Sequence, residues 1–253
     1  MKIIVKTELY KLKRYSVVWI GIATMLAVVL LARFMATASD GATHTLSNFS
    51  SSVIWNNLVL IYPATITLMS GYMIERERTD DTMKNLLTIP LSFRKLLTGK
   101  LLTVGLLTIV LSLFEFGFTM LVFFMSGFPG FSFEGAIQVL FQMIGMNLFA
   151  YIAVLPIIAF TGQRSGSLMG GVGFAFFYGF IGMMASGHGL RDLYPITAGL
   201  SLIRYQDTES TTITGNLLVS VTILLMILLV TVLIVLNAKN RERKTPSKKP
   251  KSV

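Results

Sequence analysis

The chain has 253 residues, of which 53% are hydrophobic and 13% charged, with a formal net charge of +10. Its apolar residues run in blocks longer than a soluble core helix requires, so composition excludes a water-soluble globular domain and points to a polytopic membrane protein. Cysteine is absent, which excludes a disulfide framework, a thiol nucleophile and a cysteine-based metal site.

The opening "MKIIVKTELYKLKRY" is too polar to span. Val5, Leu9 and Leu12 share one helical face while Lys2, Lys6 and Lys13 lie elsewhere, the pattern of a helix lying in the membrane interface. A basic juxtamembrane start that only sets topology is the plainer alternative. A hydrocarbon core of ~30 Å takes about 20 apolar residues at ~1.5 Å each, and six stretches qualify: 16–35, 53–74, 101–125, 136–160, 168–187 and 216–237. All are expected to be helices, because an open strand in lipid leaves backbone groups unpaired. The first resembles a signal peptide, with "ATA" at 36–38. Its apolar run from Val17 is too long for one, and Arg33 precedes the supposed cleavage point, so it reads as a retained span.

Pro63 and Pro156 fall inside the second and fourth spans, where each removes a backbone donor and is expected to bend its helix. Glu115 sits near the middle of the third span, where an exposed charge is expensive. It is a candidate for the translocation pathway, contacting a cationic peptide or carrying a proton, or else a hydrogen-bonded residue locking helices together. The fifth span opens with Gly166, Gly170 and Gly173 on one face, predicting close approach by a neighbouring helix. Between the last two spans, "LYPITAGLSLIRY" is too short to cross yet apolar enough to dip into the membrane as a short helix; a plain structured loop is the alternative. His44 and His188 lie in predicted outer loops without ligand-spaced partners, so no metal site is expected.

Charge orients the chain. Five Lys/Arg precede the first span, six lie in residues 75–100, one is Arg164 and seven are in the tail. Arg33, Arg191 and Arg204 alone fall on the other side, which places both termini in the cytoplasm. Trp19 and Trp55 sit at opposite expected boundaries. The tail "KNRERKTPSKKPKSV" reads as a solvated strip against anionic lipid. Nucleic acid is not an expected partner, since the charges flank spans and lack interleaved aromatics. The domain organisation is therefore an interfacial helix over 1–15, a six-span region over 16–237 and a basic tail over 238–253.

The segment "ERERTDDTMKNLLTIPLSFRKLLTGK" between the second and third spans is dense in charge and broken by a turn. Asp80 or Asp81 can cap a short helix whose Met83, Leu86 and Leu87 form one apolar face, and Pro90 stops it. Ser92 then begins a second helix. Glu75, Arg76, Glu77 and Arg78 stand at one shoulder, and Arg94, Lys95 and Lys100 at the other, a shape suited to gripping a soluble partner. With acidic and basic residues ending a span before "TMKNLLTIPLSFRKLLTGK", this loop resembles that of the type-2 ABC exporter permeases. "TELYKLKRYSVVWIGI" likewise resembles their amphipathic elbow, especially in the branch of bacitracin, lantibiotic-immunity and related peptide exporters. Asp81 before Thr82 departs from the glycine common in that family, although Asp also caps.

The resemblance implies an all-α membrane protein of six spans, with an elbow helix and a coupling helix seated in a groove of an ATP-binding subunit. It implies two such subunits, a second permease identical or similar to this one, and an amphipathic or antimicrobial peptide or hydrophobic antibiotic as cargo, at a bacterial cell membrane. No G-x-x-x-x-G-K-[ST] occurs, and "TGK" at 98–100 lacks its surroundings. No catalytic residue is therefore expected here, and ATP and magnesium belong to the partner subunit. An ion-coupled carrier using Glu115 is the alternative reading; such carriers show internal repeats and broken helices around a midplane site, whereas this chain has one central carboxylate.

Overall fold

A computed structural model describes residues 1–38, 44–79, 92–205 and 215–239. Among these residues every regular element is helical. Helix α1 is Lys2–Leu12 and α2 is Val17–Met35; α3, Leu46–Asn56, runs through a π-helical turn, Asn57–Ile61, into α4, Tyr62–Thr79. Then come α5 (Phe93–Met125), α6 (Phe133–Thr161), α7 (Leu168–Gly187), α8 (Pro195–Leu202) and α9 (Leu217–Leu236). Six of these runs are long and apolar enough to cross a membrane: α2, the α3–α4 run, α5, α6, α7 and α9. The expected six-span, all-α architecture is therefore observed.

Hydropathy misplaces the helix ends because capping, not apolarity, sets them. The hydroxyls of Thr45, Ser92 and Ser132 accept the backbone N–H groups of Asn48, Lys95 and Gly135 at 3.4, 3.4 and 3.0 Å. Each cap satisfies a donor the first helical turn leaves open. So α3, α5 and α6 begin at Leu46, Phe93 and Phe133, several residues before the apolar runs do.

The α3–α4 run, α5 and α6 form the centre, with Met25, Phe49, Leu58, Ile66, Met69, Leu111 and Met143 buried between them and α2. Helix α9 is apolar on all sides and only 17% of its span is buried, against 67% for the α3–α4 run. Such a helix is stable only where lipid or another subunit covers it.

Pro63 acts as expected of a backbone breaker. Just before it the Tyr62 N–H reaches back five residues to the Asn57 carbonyl, giving the π turn and swinging Asn57 inward. Helix α6, by contrast, runs through Pro156 without interruption. The close approach expected at Gly166, Gly170 and Gly173 lies elsewhere within this chain. Gly166 forms the turn before α7 with φ +76, and nothing stands within 4 Å of a Cβ placed on Gly170 or Gly173. The contact is made at Gly179, where a Cβ would stand 2.7 Å from the Val59 carbonyl oxygen and 3.0 Å from Pro63 Cγ. Helix α7 turns its glycine-opening face outward and its middle toward the π turn.

At the end remote from the termini, the short helix expected in the last loop is α8, with Ile196 to Leu200 fully buried. Asp192 accepts hydrogen bonds from Ser201, from the Asn216 backbone N–H at 2.5 Å and from Ser220 at 3.2 Å, tying α8 to the start of α9. Partial burial opposes its charge, but these bonds hold its carboxyl below the usual carboxylate range. On the same face Arg33 donates to Ser126 at 2.6 Å and lies 5.0 Å from the Phe128 ring centre.

Gly179→Leu forces the π turn and α7 apart and is expected to lower stability by about 1–3 kcal/mol. Gly117→Ala, in open space on α5, is expected to be neutral or stabilising by up to about 1 kcal/mol. Thermal unfolding of the two variants in the same detergent checks this.

Candidate functional site

Four charged side chains from three helices meet at the face that carries α1 and the end of α9. Glu8 and Lys11 lie one turn apart on α1, Glu77 is in the last turn of α4 and Lys100 is in the third turn of α5. Lys11 Nζ lies 2.7 Å from Glu8 Oε1 and 2.6 Å from Glu77 Oε1. Lys100 Nζ lies 2.9 Å from Glu8 Oε2, 3.0 Å from Glu77 Oε1 and 2.9 Å from the Met73 carbonyl. Glu8, Glu77 and Lys100 are 1%, 3% and 2% exposed, so these charges have little water and must compensate one another. Two acids against two bases make the group neutral.

Burial alone raises the Glu8 carboxyl, but the attraction of Lys100 and hydrogen bonds from Lys11 and Lys100 outweigh it and hold Glu8 below its ordinary value. Burial likewise opposes the Lys11 charge, and the bonds and attraction from Glu77 and Glu8 overcome that and raise it. The group therefore folds α1 onto the junction of the second and third spans.

The rest of the "ERER" run is also engaged with the chain itself. Glu75 accepts from Ser165 Oγ at 3.1 Å and the Gly166 N–H at 2.8 Å, gripping the turn between α6 and α7. Arg76 donates to Tyr72 at 3.0 Å and sits 4.6 Å from the Tyr15 ring centre, which joins the α1–α2 turn. Arg78 donates to the Gly162 carbonyl at 2.6 Å and lies over Phe93 at 5.9 Å. The end of α4 is thus tied to α1, to the start of α5 and to the α6–α7 turn. Of the residues expected at the two shoulders, Glu77, Arg78 and Lys100 point inward, because a charge in an apolar junction needs a partner. Arg94 and Lys95, in the first turn of α5, remain exposed.

Asp80, Asp81, Thr82, Met83, Leu86, Leu87 and Pro90 lie outside the described residues. What the structure describes is the pair of anchors from which that segment springs.

Glu115 stands in a second polar group, midway through the spans. Asn57 Nδ2, turned inward by the π turn, donates to Glu115 Oε1 at 2.8 Å and to Asn147 Oδ1 at 3.1 Å. Asn147 Nδ2 donates to Glu115 Oε2 at 2.6 Å and to Ser112 Oγ at 3.0 Å. One turn away Tyr62 donates to Thr108 at 3.0 Å. All four amide hydrogens of the two asparagines are used, and Glu115 is 1% exposed. The arrangement joins the α3–α4 run, α5 and α6, the work of a polar lock between helices.

Sequence reasoning missed Glu8, Lys11, Asn57 and Asn147 as partners. The signals were present: Glu8 is the single acid among five bases in residues 1–15, and Asn57 and Asn147 interrupt apolar runs. Leu9, expected on the apolar face of an interfacial helix, is 41% exposed, while the face of α1 that packs against the chain is centred on Glu8 and Leu12.

Lys100→Met leaves two buried carboxylates with one base and is expected to cost about 3–5 kcal/mol. Lys100→Met with Glu8→Met leaves the Lys11 and Glu77 pair neutral and is expected to recover most of that loss. The pH dependence has a definite sign. The Glu8 contribution is present above its ordinary 4.5 and lost as pH falls through its lower folded value. The Lys11 contribution is present below 10.5 and lost as pH rises through its higher folded value. Unfolding measured across pH is expected to show a plateau between those limits that Glu8→Met with Lys11→Met abolishes at its acid end.

A model of the family described as "ABC-2 family transporter protein" matches residues 4–182. No curated protein and no solved structure matches the chain. The matched region runs from α1 into α7 and includes the charged platform, the segment that springs from it and the polar lock, so the chain belongs to the ABC-2 transporter family, as a multi-pass permease subunit of an ABC transporter.

Proposed function

We propose that this permease exports amphipathic or antimicrobial peptides, or hydrophobic antibiotics, and that residues 80–91 form a coupling helix on which a separate ATP-binding subunit acts. The observation that carries this reading is the bracing on either side of that segment. Glu75 to Arg78 before it and Lys100 after it are fastened to α1 and to the α6–α7 turn. A push on a segment hung between braced helices moves the helices rather than being absorbed locally. In this scheme α1 is the elbow, and it travels with the junction through Glu8 and Lys11. Arg94 and Lys95 are exposed beside the segment, available to an acidic surface of the motor.

Two motor subunits, holding ATP and magnesium, would act on two permeases. The face of α7 left open within one chain supports a second permease. Gly170 and Gly173 have open space above them, and Phe174, Phe177, Ile181 and Met184 recur along it at helical spacing and are 62%, 63%, 49% and 57% exposed. A second copy or a similar permease facing it would enclose an aromatic and Met-lined passage, suited to an amphipathic cargo. The Lys/Arg bias puts the platform and both termini in the cytoplasm. Glu115 serves in this reading as a lock, since Asn57 and Asn147 occupy both its oxygens; the same geometry does not favour a proton-driven carrier built on it.

The purified chain alone is expected to hydrolyse no ATP. With its ATP-binding subunit, replacing Met83, Leu86 and Leu87 by Asp is expected to abolish complex formation in pull-down. Lys100→Met with Glu8→Met is expected to keep the complex but lower cargo-stimulated hydrolysis. Undiminished complex formation by the Asp variant sinks the coupling assignment. Glu115→Gln is expected to retain most ATP-driven transport in vesicles, and its loss with hydrolysis intact would return Glu115 to the transport path.

A further inference from the structure

A cavity of about 760 Å³ opens between α5, α6 and α9 and is bounded at one end by Val5 of α1. Leu102 and Leu106 of α5, Ile152 of α6, and Val232 and Leu236 of α9 form its walls. Its few polar side chains are already engaged: Thr98 donates to the Arg94 carbonyl at 2.8 Å, Tyr151 to the Leu101 carbonyl at 2.6 Å and Thr231 to the Ile227 carbonyl at 2.8 Å. The walls therefore ask nothing of a ligand but apolar contact.

Length and position narrow the occupant. Along α5 the lining runs from Thr98 to Ile109, about 16 Å at ~1.5 Å per residue, which is about half of a ~30 Å hydrocarbon core. The groove thus spans one leaflet, and it is the leaflet at the basic face. Lys2 lies one turn before Val5 on α1, and Arg94 and Lys95 lie one turn before Thr98 on α5; all three are exposed. Lys239, exposed just past α9, is held at this face by its backbone N–H to Gln163 at 3.2 Å, and six more Lys/Arg follow it in the sequence.

We infer that this groove is a binding site for one anionic glycerophospholipid of the cytoplasmic leaflet, with an acyl chain along α5 and α9 and the phosphate at the rim beside Lys2 and Lys239. Water is a poor filler for such walls, and lipid contacts at a loosely packed helix restore the dispersion contacts the gap forfeits. The basic rim selects charge, because each Lys or Arg near the surface favours an anionic headgroup. The bound chain would bridge α9 to α5, which meet far less than α9 and α6 do.

The test is lipid retention by the full chain in nanodiscs of phosphatidylglycerol mixed with phosphatidylcholine, followed by detergent extraction and native mass spectrometry. It needs neither ATP nor a motor subunit, so its outcome is independent of the transport reading. Wild type is expected to keep one lipid per chain and to prefer phosphatidylglycerol. Leu106→Trp with Val232→Trp fills the groove at two exposed positions and is expected to lose that lipid while keeping the wild-type helical signal and elution volume. Lys2→Gln with Lys239→Gln is expected to keep a lipid but lose selectivity, about fivefold per charge removed. Equal retention by the folded Trp variant overturns the site. So does disulfide formation between two copies carrying Leu102→Cys or Val232→Cys in the intact bilayer, which would make the groove a contact between permeases.

Discussion

A charge taken out of water has to find its opposite, and at the basic face of this permease that requirement organises everything around it. Glu8, Glu77 and Lys100 are nearly inaccessible, and with Lys11 they form a neutral group linking three helices. Removing one partner from such a group strands the others, so the contact is all or nothing in a way that apolar packing is not. The consequence is positional: α1, the end of α4 and the start of α5 share one geometry and have to move together.

The mid-membrane group obeys the same rule with weaker members. Asn57 reaches Glu115 and Asn147 only because a π turn before Pro63 rotates it inward. The same turn receives Gly179 of α7 at backbone contact distance. One backbone irregularity therefore places both a polar lock and a close helix crossing. Between the lock and the charged platform, the α3–α4 run and α5 are pinned to each other at two levels. Helix α9, outside both groups, and the outward face of α7 keep apolar surfaces for lipid or another subunit.

Much of this was legible in the residues. Six apolar runs and the short helix within "LYPITAGLSLIRY" follow from patterns a few residues long, and each is matched by an element. The shoulder residues Glu77, Arg78 and Lys100 meet partners within the chain, which the sequence did not show. Glu77 and Arg78 read as surface charge because a sequence shows how polar a residue is, not whether a partner waits 70 or 80 positions away. Lys11 meets Glu77 across 66 positions and Lys100 meets Glu8 across 92. Glycine spacing is silent for a related reason: Gly170 and Gly173 share a face that no helix of this chain approaches, and periodicity cannot say which neighbour that face meets.

The sequence by itself determined that the chain carries six helices able to cross a membrane and where its basic residues concentrate along the chain. These are local properties, governed by hydrocarbon thickness, by caps such as Ser92 and by charge density along the chain. Only the tertiary structure decided that Glu8 belongs with Lys100, that Glu115 is enclosed by two asparagines, and that α5, α6 and α9 leave a leaflet-deep groove open. Those depend on which helix faces which, and in a bilayer, where lipid tails are as apolar as the side chains of the spans, hydrophobicity cannot make that choice; the few buried polar groups and backbone irregularities make it instead.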